Sequence, residues 1–192
     1  MSFLIHLDQQ LFLFINGIHS DSWDVVMYWL SDKWIWAPLY AILLFLLIRE
    51  YRSRTWMVIV GIVLLVVLTD QLSVKLFKDV FMRLRPCHEP SLEGMVRILY
   101  GHCGGKYGFV SSHATNTFGI ALYTGLLLRN RMKWLLPSLM IWAGLVSYSR
   151  IYLGVHYPGD VLVGGLLGSI IGYLVYRLFL KVNEALDKKS PA

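Results

Sequence analysis

Apolar residues run along this chain in long blocks separated by short polar stretches. Five blocks approach the roughly 20 apolar residues that a membrane helix needs. They are Trp34–Ile48 (extended upstream by the aromatic run Trp23–Leu30), Trp56–Phe77, His113–Leu128, Trp134–Tyr148 and Val161–Leu180. Trp34, Trp36, Trp56 and Trp134 stand near block ends, where amphipathic rings favour the headgroup layer. Phe3–Ile18 is also apolar but carries His6, Asp8, Gln9, Gln10 and Asn16, and it falls just short of a span. Residues 1–31 therefore read as an amphipathic region lying in the outer interface, with a sixth, re-entrant or spanning helix as the alternative. The expected fold is an all-α polytopic membrane bundle of five to six transmembrane helices, one domain over 1–192. Two stretches depart from the pattern: a polar segment over 79–112, and a charged tail over 183–192 that reads as frayed.

Composition supports this. Of 192 residues, 56% are hydrophobic and 16% charged, and mean hydropathy is +0.55. A soluble domain of this size cannot bury that much apolar surface, and a disordered chain needs the opposite balance. The formal charge is +6, but no Lys/Arg block forms a nucleic-acid footprint.

Ten of the 18 Lys and Arg lie in the connections 49–54 and 129–133 and in the last stretch from Arg177 onward. The positive-inside rule makes these cytoplasmic, 183–192 a cytoplasmic tail and 79–112 an outer, periplasmic loop. Most of the remaining cations then fall at outer span ends, where a separate reason must retain them. Ionisable groups at membrane depth normally face a bundle interior or an aqueous cavity. At about 100° per residue, Gln71, Lys75 and Lys78 share one face of the second span.

Three clusters meet on that outer side: Lys78 with Arg85-Pro86, Ser111-Ser112-His113, and Ser149-Arg150 with His156 and Asp160. The chemistry suits phosphate. Arg85 and Arg150 offer forked donors and Lys78 a point charge. Ser111 and Ser112 sit at a helix start, where free N–H groups favour an anion. His156 and His113 supply a nucleophile and a general acid, and Asp160, four residues after His156, is placed to fix its tautomer. Taken singly, each has a plainer use, such as a cap or a snorkelling cation. No metal-ligand spacing appears, so no metal or cofactor is expected.

These residues resemble the type 2 phosphatidic acid phosphatase (PAP2) superfamily, whose signature is Lys-x6-Arg-Pro, Pro-Ser-Gly-His and Ser-Arg-x5-His-x3-Asp. The first and third parts are met in full. The second departs, with Val110 for Pro and Ser112 for Gly. The resemblance implies a PAP2-like helical core and a compact bacterial lipid phosphatase of the inner membrane that works without metal. In it His156 attacks phosphorus, Asp160 orients His156, and His113 protonates the leaving oxygen. Lys78, Arg85, Arg150 and Ser111 bind the phosphoryl oxygens; Ser112 supplies a backbone N–H near which its Cβ crowds. Arg83 and Lys75 read as widening a positive funnel.

Candidate substrates are undecaprenyl pyrophosphate, lipid A phosphate, phosphatidylglycerol phosphate and phosphatidate, with a soluble phosphate ester as a weaker option. The competing readings are a transporter or scramblase that binds phosphate lipids without chemistry, and a vanadium haloperoxidase, which the spans disfavour.

Cys87 and Cys103 share the outer loop, where a disulfide is expected. Free thiols, or zinc with His88 and His102, are the alternatives, the latter weakened by its spacing. Gly164, Gly168 and Gly172 form a small-residue seam. Packing within the bundle is its expected use, and a homodimer seam the alternative.

Overall fold

The computed structural model describes residues 2–101 and 103–189; Met1, His102 and 190–192 lie outside it, and with His102 so does that part of the zinc alternative. Among the described residues there is no strand. The helices are α1 (Ser2–Gly17), α2 (Asp21–Ser31), α3 (Ala37–Tyr51), α4 (Thr55–Leu72), α5 (Asp79–Phe81), α6 (Ser112–Leu128), α7 (Leu135–Tyr152) and α8 (Pro158–Lys189). Two apolar runs, Trp34–Phe81 and Pro158–Lys188, are long enough to cross a membrane, with mean hydropathy of 2.4 and 1.7 in their most apolar stretches. The first run turns at Arg52, at φ +42°, into α3 and α4.

The bundle is centred on α6 and α8. Gly164, Gly168 and Gly172 turn toward α6, where a Cβ would stand 2.8, 2.1 and 2.6 Å from the carbonyl oxygens of Ser111, Thr115 and Gly119. Only hydrogen at these positions lets the two backbones approach this closely. The seam is thus filled within the chain. Around it Leu47, Val58, Leu65, Tyr123, Val175 and Phe179 form a buried cluster.

The end of the bundle carrying most of the Lys and Arg is tied by Arg54 to Asp187, by Arg54 to Asn183 at 2.6 Å and by Arg131 to Glu50 at 2.7 Å. These contacts continue α8 through Lys189, where the sequence reads as a frayed tail. The partner of both Asn183 and Asp187, Arg54, lies 129 and 133 residues away in the chain and is invisible to local pattern.

One expectation needs correction at the opposite end. The helix after α4 widens into a π-helical turn over Ser73–Lys78. That resets the wheel: Ser73 and Lys78 both reach Ser112, while Gln71 and Lys75 are exposed. The polar segment 79–112 is also folded. Leu84 and Tyr107 form an isolated bridge. Flanking it are backbone bonds Arg85 N–H to Lys106 O at 3.1 Å and Gly108 N–H to Arg83 O at 2.9 Å. Cys87 and Cys103 are joined, with Cα atoms 6.0 Å apart.

The N-terminal region forms two helices. In α1, Phe12 and Asn16 are buried while Phe3, Leu4, Leu7 and Phe14 are exposed. Asn16 Nδ2 donates to the carbonyls of Arg97 at 2.9 Å and Tyr152 at 2.8 Å, fixing α1 to the end of the bundle away from Arg54 and Arg131.

Candidate active site

Four segments deliver the chemistry to one end. Ser111 is the N-cap of α6, its hydroxyl accepting from the Ala114 N–H at 3.5 Å, and its own N–H donates to the Asp160 carbonyl at 3.0 Å. This joins the start of α6 to the start of α8. His113 follows in the first turn of α6. Arg150 ends α7, and residues 153–157 form the turn into α8, where Gly154 adopts φ +80°. A Cβ there would meet the Arg97 carbonyl at 2.6 Å, so the turn needs glycine. Pro158 opens α8, as suits a first helical position.

His156 is 1% exposed. Its Nδ1 lies 3.3 Å from Asp160 Oδ2, which also accepts from the Tyr157 N–H at 3.0 Å. Its Nε2 lies 3.1 Å from Arg85 Nη1. A guanidinium has donors only, so Nε2 is the acceptor and Nδ1 carries the proton. Burial, with the cations of Arg85, Arg150 and Lys78 nearby, pushes the imidazole well below its ordinary 6.5. The ring is therefore neutral, with its lone pair on Nε2.

Arg85, Arg150 and His113 line one cavity of about 380 Å³, whose other walls include Tyr28, Ser31, Asp32, Cys103 and Gly104. Arg85 Nη1 also donates to the Val155 carbonyl at 3.1 Å, and Arg150 Nη1 to the Ser31 hydroxyl. The Nε groups of both arginines are buried without a protein partner. Buried guanidinium donors left over in a cavity suit an anion with several oxygens.

Lys78 is held beside this cluster. Its ammonium donates to Ser112 Oγ at 2.8 Å, and Ser112 Oγ is 2.9 Å from Ser73 Oγ. The hydroxyl at the glycine position of the second motif thus engages the lysine of the first.

All the sequence-derived residues, His156, His113, Asp160, Lys78, Arg85, Ser111, Ser112 and Arg150, come to one end of the bundle. Cys87, His88 and Cys103 place ligand-type atoms within 4.8 Å of one another. The two sulfurs are bonded to each other, however, and a disulfide sulfur is not a thiolate ligand. Arg83 departs from its expectation. It is no open funnel cation, because Asp8 and Asp160 both pair with it. Asp8, Ser31 and Gly108 are contributors that sequence reasoning missed. Gly108 packs so closely that a Cβ would lie 3.0 Å from Asp160 Oδ2. For Asp8, the available signal was a carboxylate inside an apolar helix.

The PAP2 superfamily pattern matches residues 56–184, spanning every one of the three clusters. The chain belongs to the PAP2 superfamily. A lipid A 4'-phosphatase of Bacteroides thetaiotaomicron is 38% identical to it over 193 residues, covering 100% of this chain and 85% of the relative. An undecaprenyl-diphosphatase of Bacillus subtilis is 29% identical over 95% of both chains. The crystal structure of a transmembrane PAP2-type phosphatidylglycerolphosphate phosphatase of Bacillus subtilis superposes with a TM-score of 0.75 at 22% identity, covering 95% of this chain and 89% of that one. That likeness is one of fold.

Proposed function

We propose that this PAP2-family protein is a metal-independent membrane lipid phosphatase that works through a phosphohistidine. The observation that carries the reading is the direction of the His156 hydrogen bonds: Nδ1–H toward Asp160, unprotonated Nε2 toward Arg85, which lines the cavity.

A phosphoryl group entering the cavity engages the guanidinium groups of Arg85 and Arg150 and draws Arg85 off Nε2. The lone pair then attacks phosphorus as the bond to the lipid oxygen breaks. His113 gives that oxygen its proton. Water next attacks the phosphohistidine, His113 takes the water's proton, and the P–N bond breaks to release inorganic phosphate. Arg85, Arg150, Lys78 and the first-turn N–H groups beside Ser111 stabilise the charge that spreads over the equatorial oxygens. Asp160 keeps the proton on Nδ1 and balances the positive charge that develops on the ring.

The substrate is a phosphate carried on a bilayer lipid. The cavity lies at the end of the apolar bundle, so the tails stay in the membrane while the head group enters. The relatives differ in head group, and what they share is the lipid phosphate. Lipid A 4'-phosphate is the first candidate, because the relative so named aligns along the whole chain at 38% identity. The positive-inside rule places the site at the periplasmic face of an inner membrane, 79–112 as a periplasmic loop and 183–192 in the cytoplasm.

A panel of lipid A phosphate, undecaprenyl pyrophosphate, phosphatidylglycerol phosphate and phosphatidate, presented in detergent to the purified protein, tests this. Phosphate release that vanadate blocks and a metal chelator leaves unchanged is the expected result. Movement of a phosphate lipid between vesicle leaflets with no release from any of the four counts for a transporter instead.

A further inference from the structure

The N-terminal helix reaches the catalytic dyad through one carboxylate. Asp8 Oδ1 accepts from the Gly159 N–H, in the first turn of α8, at 2.8 Å. Asp8 Oδ2 accepts from Arg83 Nη2 at 2.7 Å. Arg83 Nη1 donates to Asp160 Oδ1 at 3.0 Å, and the other oxygen of Asp160 faces His156 Nδ1. The Arg83 guanidinium lies over the Tyr157 ring, 4.0 Å from its centroid, which restricts it from a third side.

This arrangement acts on Asp160. The side chain is fully buried, and an ionised carboxylate in that setting is costly unless paired and hydrogen-bonded. Oδ2 is shared between the Tyr157 N–H and His156, so Arg83 is the partner of Oδ1. With both oxygens held, the carboxylate plane is fixed and Oδ2 is aimed at the imidazole. Without Arg83, the buried group would hold its charge less well. A protonated Asp160 would no longer impose one tautomer on His156.

Asp8 is not needed to dock α1. The ring of Phe12 packs edge-on against Tyr157 with centroids 5.4 Å apart, and Asn16 makes its own bonds to the backbone of Arg97 and Tyr152. The Asp8–Arg83 ion pair is therefore free to serve something other than attachment.

We propose that Arg83 and Asp8 are positioning residues of the reaction: Arg83 keeps Asp160 ionised and turned toward His156 Nδ1, and Asp8 ties Arg83 to the first turn of α8. The N-terminal helix is thereby part of the catalytic apparatus. This rests on the reading of His156 as the nucleophile.

The test compares Arg83→Gln, Arg83→Lys and Asp8→Asn in the full-length protein. Loss of a partner that orients a reacting group lowers rate by about 10- to 100-fold. Arg83→Gln should show such a fall in kcat with KM and vanadate affinity within about twofold of wild type. Arg83→Lys should recover part of it, and Asp8→Asn should lie between.

Nitrogen-15 NMR of the histidine side chains, without substrate, should show His156 as the single Nδ1–H tautomer in the wild type and as a mixture in Arg83→Gln. The NMR arm needs no lipid turnover, so it decides the positioning role even if none of the lipids is hydrolysed. Wild-type kcat together with an unchanged His156 tautomer in Arg83→Gln overturns the proposal. So does a parallel fall of kcat, vanadate affinity and Tm that Arg83→Lys does not relieve, which marks a purely structural role.

Discussion

Arg85 Nη1 stands 3.1 Å from His156 Nε2, and the bond between them can run in only one direction. Because arginine donates and never accepts, the contact assigns the proton of His156 to Nδ1, on the Asp160 side. Nε2 thus carries a free lone pair before any ligand arrives, as the proposed attack on phosphorus requires.

Loss of either partner of that dyad should stop turnover. His156→Ala removes the attacking atom and should leave no phosphate release above background. Asp160→Asn keeps the shape but lets the wrong nitrogen carry the proton, and by analogy with buried Asp–His pairs kcat should fall by about 10³- to 10⁴-fold. His113→Ala should slow release most for lipids with poor leaving groups. Circular dichroism of each purified variant checks that the bundle is intact; near-wild-type rates in any of them remove that residue from the mechanism.

The ionisation of His156 gives a pH prediction. Burial and the surrounding cations disfavour the imidazolium, so the ring should remain neutral as pH falls through 6.5. The linkage has a definite sign: a histidine whose folded value is depressed takes up its proton preferentially in the unfolded chain, so this group's contribution erodes stability below about pH 6.5 and leaves it unchanged above. In ligand-free protein at pH 6, nitrogen-15 NMR should show His156 uncharged. A half-protonated His156 at 6.5 contradicts the electrostatic account.

Arg85 should not be replaceable by lysine. Its Nη1 serves both the Val155 carbonyl and His156, while the side chain also lines the cavity, and an ammonium lacks the planar fork to do both. Arg85→Lys should weaken vanadate binding and kcat/KM together by more than about tenfold, the scale of a lost charge-assisted hydrogen bond. Inhibition curves against phosphate release report it.

The disulfide fixes the loop at the cavity wall, where Cys103 and Gly104 stand beside Arg85. Bridging residues 16 apart stabilises by about 3 kcal/mol in the chain-entropy model. Cys87→Ser with Cys103→Ser should lower Tm by several degrees and loosen phosphate binding. Mass spectrometry without reduction should show the wild type two protons lighter than the reduced chain.

The α6–α8 seam should tolerate no side chain at Gly168, where a Cβ would lie 2.1 Å from the Thr115 carbonyl. Overpacking of this kind costs about 1–3 kcal/mol. Because Ser111 caps one of these helices and Asp160 lies in the first turn of the other, Gly168→Leu should lose activity as well as Tm. An active, stable Gly168→Leu protein shows that the helices separate without disturbing the site.

The dyad, the arginines and the serine cap were legible in the sequence because their spacing is local: four residues put Asp160 one turn beyond His156, and Ser111 precedes an apolar run. The face of Lys78 was misread because the 100° wheel assumes an unbroken α-helix, and the π turn at Ser73–Lys78 shifts the register by part of a turn. Arg83 was read as free because its carboxylate partners lie 75 and 77 residues away.

Hydropathy and motif spacing by themselves determined an apolar helical bundle with Lys78, Arg85, Arg150, His113 and His156 gathered at one end, since burial in lipid and helix periodicity are written along the chain. Only the tertiary structure decided which nitrogen of His156 is bare, that Ser112 engages Lys78, and that an aspartate of the first helix pairs with the arginine that also pairs with Asp160. Those are contacts between segments far apart in sequence, and their geometry is set by how closely helices pack, which no local pattern encodes.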